Sequence, residues 1–371
     1  MKLLVIPTTD WVGHPVPNRL NFIFDNIAKE HKVDVCYFKL FDDEKRKTRC
    51  NLIPMDKKVE KDISSYYIKN IFKHGNKITS LAENYDAVIS ANLIPGYFAN
   101  FSPTTVIFDY LDYLPGSAAA YYSKPLDFMA RSAARWVSRY NLKNADGIIT
   151  PTKTSKRYLN DFVDCDIEVI PNGVDRSVIH ASDPSIIEEN YGLSHPVLGY
   201  VGSLENWVDL ELIVELFPDV KKRYKNAKLL IIGPGLHTDY AERLRNKVRG
   251  MDISDSVIFL GRIPYTDLPR YISAMDVGLN PRKDLMMNKM AMGSKVLTYL
   301  ACGVPVLSSN MPEIEERFSP IDGVFSYSTE EEFLAEIHKS ICANVDPDVI
   351  KNYDWKIISK KYERTILDFI G

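Results

Sequence analysis

In the stretch "GSKVLTYLACGVPVLSS" (293–309), Lys295 stands where a cation needs a chemical reason. Val296, Leu297, Leu300 and Ala301 recur at helical spacing and predict a buried stripe, with Gly293 as a flexible approach and Ser294 as a cap. Lys295 then falls in the first turn, which the helix dipole makes unfavourable for positive charge. An anion at the helix start resolves the conflict, because backbone N–H groups and the ammonium then meet it together. A diphosphate is the obvious candidate. A solvated lysine near a helix end is the plainer alternative, and the pattern alone leaves the two open.

Three further loops carry the same signature. "GYVGSLENWVDLELI" (199–213) reads as a strand, a Gly202-Ser203 turn and a helix beginning near Trp207, whose unpaired N–H groups would face the space beside Gly202. "LLIIGPG" (229–235) ends a strand in Gly233 and Gly235, and "FLGRIPYTDLPRYI" (259–272) ends another in Gly261-Arg262, with Thr266 or Asp267 as the cap of the next helix. One glycine-ended strand is weak evidence; four in one half of the chain would converge on one edge of one sheet. The dinucleotide fingerprint and the P-loop are both missing, since "GPGLHT" (233–238) lacks the third glycine.

The elements that must position these residues are legible as short apolar runs at 2–6, 33–38, 87–90, 105–108, 147–150 and 167–170, then at 197–201, 228–232, 257–260, 277–280 and 304–309. They do not alternate in and out, so they predict strands covered on both faces; the helical intervals between them predict parallel βαβ crossovers. The pattern occurs twice, on either side of "PNGVDRSVIHASDPSIIEENYGLSHP" (171–196), which reads as a linker. The expected fold is α/β, two Rossmann-like doubly wound parallel-sheet domains facing across a cleft, with ligands beyond the carboxyl ends of the strands. Residues 41–62 are charged and poorly patterned and read as an exposed excursion.

Composition bounds the class. The 371 residues suffice for two domains, and 46 basic against 49 acidic side chains leave a net charge of −3, no argument for nucleic-acid binding. The 5 cysteines are far apart without a Cys-x-x-Cys, which fits reduced thiols in a cytosolic protein. The 7 histidines are scattered, so no metal site is expected. No run is long enough to span a bilayer, and the start is too short in its apolar run for a signal peptide; the expectation is a cytoplasmic protein, soluble or peripheral at the inner face of the membrane.

In combination and in order, "NADGIITPTKTSKRYL" (144–159), "VIPNGVD" (169–175), "GYVGSLENWVDLEL" (199–212), "LGRIPYTDLPRYISAMDVGLNP" (260–281) and "KVLTYLACGVPVLSS" (295–309) resemble the glycosyltransferases of the GT-B fold, nearest to family 4 and its teichuronic-acid-type relatives. The resemblance covers most of residues 100–310. It implies an acceptor domain (1–170), a nucleotide-sugar donor domain (171–352) and a last helix (353–371) crossing back to the first domain. The base would stack near Gly261, Arg262 and Ile263. The diphosphate would meet Gly202, Ser203 and the helix from Gly293, with Lys295 on an oxygen. Trp207, Gly233, Gly235 and Ser294 complete the expected donor set. Three departures stand out. The Glu-x7-Glu pair of family 4 falls on Met290 and Thr298, so Thr298 offers the ribose one hydrogen bond where a carboxylate offers two. The usual diphosphate-clamping Arg and Lys are replaced by "SLENWVD", leaving Lys295, Arg282 and Lys283 as cations. "PRKDLMMNKMAMG" (281–293) is rich in methionine, which adapts to irregular surfaces.

Glycosyl transfer needs a neutralised leaving group and, with inversion, a base for the acceptor hydroxyl. Asp109 and Asp112, in "VIFDYLDYLPG" (106–116), follow an apolar run at a carboxyl edge, near where related enzymes place a functional group. Asp112 is the better base, with Asp109 structural; both also suit a capping role. The loop "PTTDWVGHPVPNRL" (7–20) offers His14 as a further catalytic candidate; here Trp11 suits a sugar face and Arg19 a phosphate, or both Trp11 and His14 are packing. Arg131, Arg135, Arg139 and Lys143 form one basic stripe bordered by Trp136 and Tyr140, either a solvated face or a dock for an anionic membrane surface. The expected activity is metal- and cofactor-independent transfer from a nucleotide diphosphate-sugar to a glycan or lipid-linked acceptor. A nucleotide-sugar epimerase and a non-catalytic binding subunit are the alternatives; donor turnover without acceptor marks the one, binding without turnover the other.

Overall fold

The computed structural model describes residues 1–14, 17–40, 46–55, 69–119, 125–236 and 238–371. The chain divides into two units, Met1–Asn172 with Trp355–Gly371, and Gly173–Asp354.

The first unit is built on seven parallel strands, β1 (Lys2–Ile6), β2 (Lys32–Tyr37), β3 (Asn51–Pro54), β4 (Ala87–Ser90), β5 (Thr105–Asp109), β6 (Gly147–Thr150) and β7 (Ile167–Val169), in the order β3-β2-β1-β4-β5-β6-β7. Alternate residues of β1 enter different cores: Leu3 and Val5 pack with the helix Arg19–Ile27, Leu4 and Ile6 with Ile78 and Ala82 of the helix Ile71–Ala82. This two-sided burial explains why the inner strands read as unbroken apolar runs. β3 escaped the sequence reading because it is a half-exposed edge strand ending in Pro54, a residue an edge tolerates. It lies in the segment expected to be an excursion; residues 41–45 and 56–62 of that segment lie outside the described residues. The helix Trp355–Ile370 closes the unit. Trp355, Ile358, Tyr362 and Ile366 face the core, and Trp355 stacks on Phe22 with ring centroids 5.1 Å apart.

The second unit holds six parallel strands, β8 (Val197–Val201), β9 (Lys228–Ile232), β10 (Val257–Gly261), β11 (Val277–Asn280), β12 (Val306–Ser309) and β13 (Val324–Tyr327), in the order β10-β9-β8-β11-β12-β13. Here too β9 splits its side chains, Leu229 and Ile231 to one core, Leu230 and Ile232 to the other. The stretch expected to be a linker mostly belongs to this unit. Val174 N donates to Tyr353 O at 2.9 Å, Ile179 and Ile187 are buried, and Ser185–Tyr191 is helical. Strand order reverses between β8 and β11, so the crevice at their carboxyl ends is where such a sheet takes a ligand.

Candidate functional site

The loops at that reversal are held together mainly by backbone. Gly202 follows β8 at φ +150°, and its N–H donates to Ile232 O at 2.9 Å. Gly233 follows β9 at φ +131°, and its N–H donates to Gly261 O at 2.7 Å, where a register shift in β10 places Gly261 at φ +65°. A Cβ on Gly233 would collide with the carbonyl of Gly202, so the two loops touch as only glycines allow. Gly235 packs against Ala241, and the buried Glu205 carboxylate fastens the rest of this loop, accepting from Leu236 N at 2.7 Å and Thr238 Oγ1 at 2.9 Å.

Lys295 enters this crevice from the helix Ser294–Ala301. Gly293 occupies the cap position and Ser294 is already the first helical residue, one place later than the expected cap. Val296, Leu297, Leu300 and Ala301 are buried as the spacing predicts, and Tyr299 joins them. The Tyr299 hydroxyl accepts from Val201 N at 2.8 Å and donates to Leu279 O at 3.1 Å, tying the helix to β8 and β11. The Lys295 side chain crosses Gly202 so closely that a Cβ there would strike Lys295 Cε. Its Nζ lies 5.4 Å from the centroid of the Tyr200 ring. Among the described residues the ammonium has neither a hydrogen-bond acceptor nor a carboxylate. Burial, with help from the nearby Arg282 guanidinium, pushes its pKa down to about 7.

Arg282 is set beside Lys295 by a short zipper. Val208 bridges Arg282, Asp209 N donates to Pro281 O at 3.2 Å, and Lys283 N donates to Trp207 O at 3.2 Å. The guanidinium donates to Asn280 Oδ1 at 3.3 Å and Asn288 Oδ1 at 3.5 Å, which help to orient it. Asn288, the buried amide of the methionine-rich segment, also donates to Trp207 O and Lys283 O, both at 2.8 Å. Half-buried Trp207 thus serves the crevice through its carbonyl. Lys283, by contrast, is neutralised by Glu211 at 3.2 Å. The helix expected near Trp207 begins at Leu210, and its Glu211 N–H donates to the Tyr240 hydroxyl at 3.2 Å, so that helix does not aim free N–H groups beside Gly202. Ser203 is half-buried next to Gly202, and its carbonyl accepts from Tyr200 at 2.8 Å. Arg262 is exposed after β10, with half-buried Ile263 packed on the core below it. The Thr298 hydroxyl donates back to Ser294 O at 3.3 Å within its own helix.

In the first unit the carboxylates part company. Asp109 is fully buried at the end of β5; it accepts from Arg19 Nε at 3.2 Å and Tyr362 OH at 2.8 Å, and burial raises its pKa against the lowering effect of Arg19. Arg19 also donates to Ile170 O at 2.7 Å and Asn172 Oδ1 at 3.1 Å, so it clamps the end of the unit instead of standing open to a phosphate. Trp11 is fully buried and donates to Thr48 Oγ1 at 3.0 Å, which leaves no face for a sugar; packing is its role. Asp10 fixes this loop, accepting from Gly13 N at 2.8 Å and Leu40 N at 2.9 Å, with half-buried His14 at its tip. Asp112 is exposed in the loop between β5 and the helix Leu114–Ala119. Arg131, Arg135, Arg139 and Lys143 all lie exposed along the helix Leu126–Asn144.

What the sequence reading missed around Lys295 is the tyrosine pair, Tyr200 and Tyr299, and the amides Asn280 and Asn288. The tyrosines sit at apolar positions and read as core, and nothing in the spacing brings 207–209 against 281–283. The only signal was the position of Arg282 after a strand end.

Comparison with known proteins bears on the family and the fold. The family described as Glycosyl transferases group 1 matches residues 195–342, and the one described as Glycosyltransferase Family 4 matches residues 26–178. The alpha-monoglucosyldiacylglycerol synthase of Streptococcus pneumoniae is 26% identical over 227 residues, 58% of this chain and 49% of that protein. The chain spans about half the length of the curated relatives it matches first. Among solved structures, sucrose-phosphate synthase from Thermosynechococcus elongatus superposes with a TM-score of 0.75 at 17% identity, covering 99% of this chain and 98% of that one. HepE of Anabaena, solved in complex with UDP and glucose, superposes with a TM-score of 0.74 at 16% identity, covering 99% of each.

Proposed function

Because the chain belongs to the GT-B glycosyltransferases of group 1 and family 4, we propose that it transfers a hexose from a nucleoside diphosphate sugar to a glycan or lipid-linked acceptor, without metal or cofactor. The observation that carries this reading is Lys295: a partly buried ammonium, unpaired among the described residues, beside a second cation and at a helix start, in the crevice where strand order reverses. Such a place is unfavourable for the free protein and favourable once an anion of two or more charges enters. The diphosphate of the donor fits it beside Gly202 and Ser203, with the base over Gly261, Arg262 and Ile263. HepE, whose complex holds UDP and glucose, supports the class of ligand.

In the reaction the bond from the anomeric carbon to the diphosphate oxygen breaks as the acceptor oxygen bonds that carbon. Lys295 and Arg282 stabilise the charge that gathers on the leaving diphosphate; the Ser294 and Val296 amides at the helix start are already spent on Met292 O and Gly293 O, at 2.8 and 2.9 Å. Asp112 takes the acceptor proton, and His14 assists at the same unit's first loop. Thr298, bonded within its own helix, leaves the ribose less firmly held than a glutamate would. No helix of the described residues is long and apolar enough to cross a membrane. Lipid acceptors are instead approached from the surface, at the inner face of the membrane, by the helix Leu126–Asn144.

The test is transfer of radiolabelled sugar from a panel of UDP-, GDP-, ADP- and dTDP-sugars into a lipid and glycan acceptor extract. Asp112→Asn abolishes transfer and keeps donor affinity; undiminished turnover removes Asp112 from the mechanism, and donor binding with no transfer by the parent chain defeats the activity.

A further inference from the structure

We propose that Tyr299 is the positioning residue for Lys295: its hydroxyl takes the place of the last rung between β8 and β11 and so sets the distance from the lysine's helix to Gly202. The ladder gives the first observation. β8 and β11 pair in parallel register at Leu198 with Val277 and at Gly199 with Gly278. Carried two residues further, that register sets Val201 opposite Asn280, and a direct rung would run from Val201 N to Leu279 O. Those are the two atoms that Tyr299 joins. Its hydroxyl accepts from Val201 N at 2.8 Å and donates to Leu279 O at 3.1 Å. One rung has become two, with an oxygen between them. The following rung cannot form, because at this register Val201 O would need the N–H of residue 281, and Pro281 has none. The strands therefore part at the hydroxyl, where the crevice begins.

Packing makes room for this insertion. Tyr299 is fully buried, and its ring lies over Gly278, where a Cβ would stand 2.3 Å from Tyr299 Cγ. Both bonds of the hydroxyl are therefore made inside the core. A phenylalanine in its place would fill the same space and leave a strand N–H and a strand carbonyl unpaired.

The consequence falls on Lys295. Lys295 and Tyr299 are four residues apart on the helix Ser294–Ala301, so they share a face. Tyr299 holds Val201, and the Lys295 side chain crosses Gly202, the next residue. The hydroxyl thus fixes the helix against the same strand end over which the ammonium passes. Without it, the strand end and the helix are free to shift, and the ammonium no longer stands at one fixed place in the crevice. This inference rests on the reading of Lys295 as the group that meets the donor diphosphate.

A double-mutant cycle in the full chain tests it by calorimetry. Of UDP, GDP, ADP and dTDP, the diphosphate that binds most tightly is titrated beside its nucleoside into the parent, Tyr299→Phe, Lys295→Ala and the double variant. Tyr299→Phe shrinks the margin of diphosphate over nucleoside about threefold or more and leaves nucleoside affinity unchanged; in the Lys295→Ala background it changes diphosphate affinity less than about twofold. A group that only stabilised the fold would lower the melting temperature and leave the margin alone. An unchanged margin, or an equal loss with and without Lys295, overturns the proposal. A parent chain with no margin overturns it together with the donor reading, whereas a margin kept in Tyr299→Phe overturns it alone. Where Tyr299→Phe does not fold, hydrogen exchange in the valine-labelled parent decides. Slow exchange of the Val201 amide without nucleotide is the expected result, and exchange at the rate of an open loop contradicts the rung.

Discussion

Lys295 concentrates the residue-scale argument. Its ammonium is pushed from an ordinary 10.5 to about 7, by burial first and by Arg282 second. The sign of the consequence follows from proton counting. Between about pH 7 and 10.5 the unfolded chain keeps the proton that the folded chain has released, so stability rises with pH across that window. The unliganded chain therefore gains melting temperature from pH 7 to pH 10 relative to Lys295→Met, in which that component is gone. Parallel pH profiles for the two would show that Lys295 is an ordinary solvated lysine. A bound diphosphate reverses the effect by restoring the proton. Lys295 and Gly202 were legible in the sequence because each breaks a local rule, a cation in a first turn and a glycine at a strand end. Trp11 and Arg19 were not, because a loop's residue types do not say which side of the loop is buried. Trp11 reached Thr48 and Arg19 reached Asp109, partners 37 and 90 residues away.

At the scale of elements, the helix Leu126–Asn144 carries more than the basic stripe read from its spacing. Phe128 is 71% exposed, Met129 63% and Trp136 61%, and Trp136 and Tyr140 join Tyr97 and Phe101 in an aromatic cluster. Exposed aromatic and aliphatic side chains interleaved with arginines are what an interfacial helix presents to anionic lipid. The docking proposed for this helix predicts that the chain floats with vesicles containing phosphatidylglycerol and less with pure phosphatidylcholine. Phe128→Ser combined with Met129→Ser, both exposed and outside the aromatic cluster, removes that flotation; unchanged flotation contradicts the docking. Periodicity revealed this helix and the inner strands because two-sided burial writes itself as apolar runs. β3 and β13 left weaker traces: their residues are largely half-buried or exposed at sheet edges, where the composition need not be apolar.

For the whole molecule, two parallel sheets were readable from the doubled pattern of strands, and the family resemblance named the architecture that the superpositions bear out. The boundary was less legible. Residues 171–196 look like a linker because they hold prolines and polar turns, yet from Gly173 onward they pack in the second unit, as Val174, Ile179 and Ile187 are buried. The account's central claim is that the second unit grips the diphosphate of a sugar donor through Lys295. Calorimetric titration of the full chain with UDP, GDP, ADP and dTDP, each beside its nucleoside, tests it most directly. One diphosphate binds at least tenfold tighter than its nucleoside, and Lys295→Ala erases that margin while nucleoside affinity stays. Superimposable curves for parent and variant would contradict the claim.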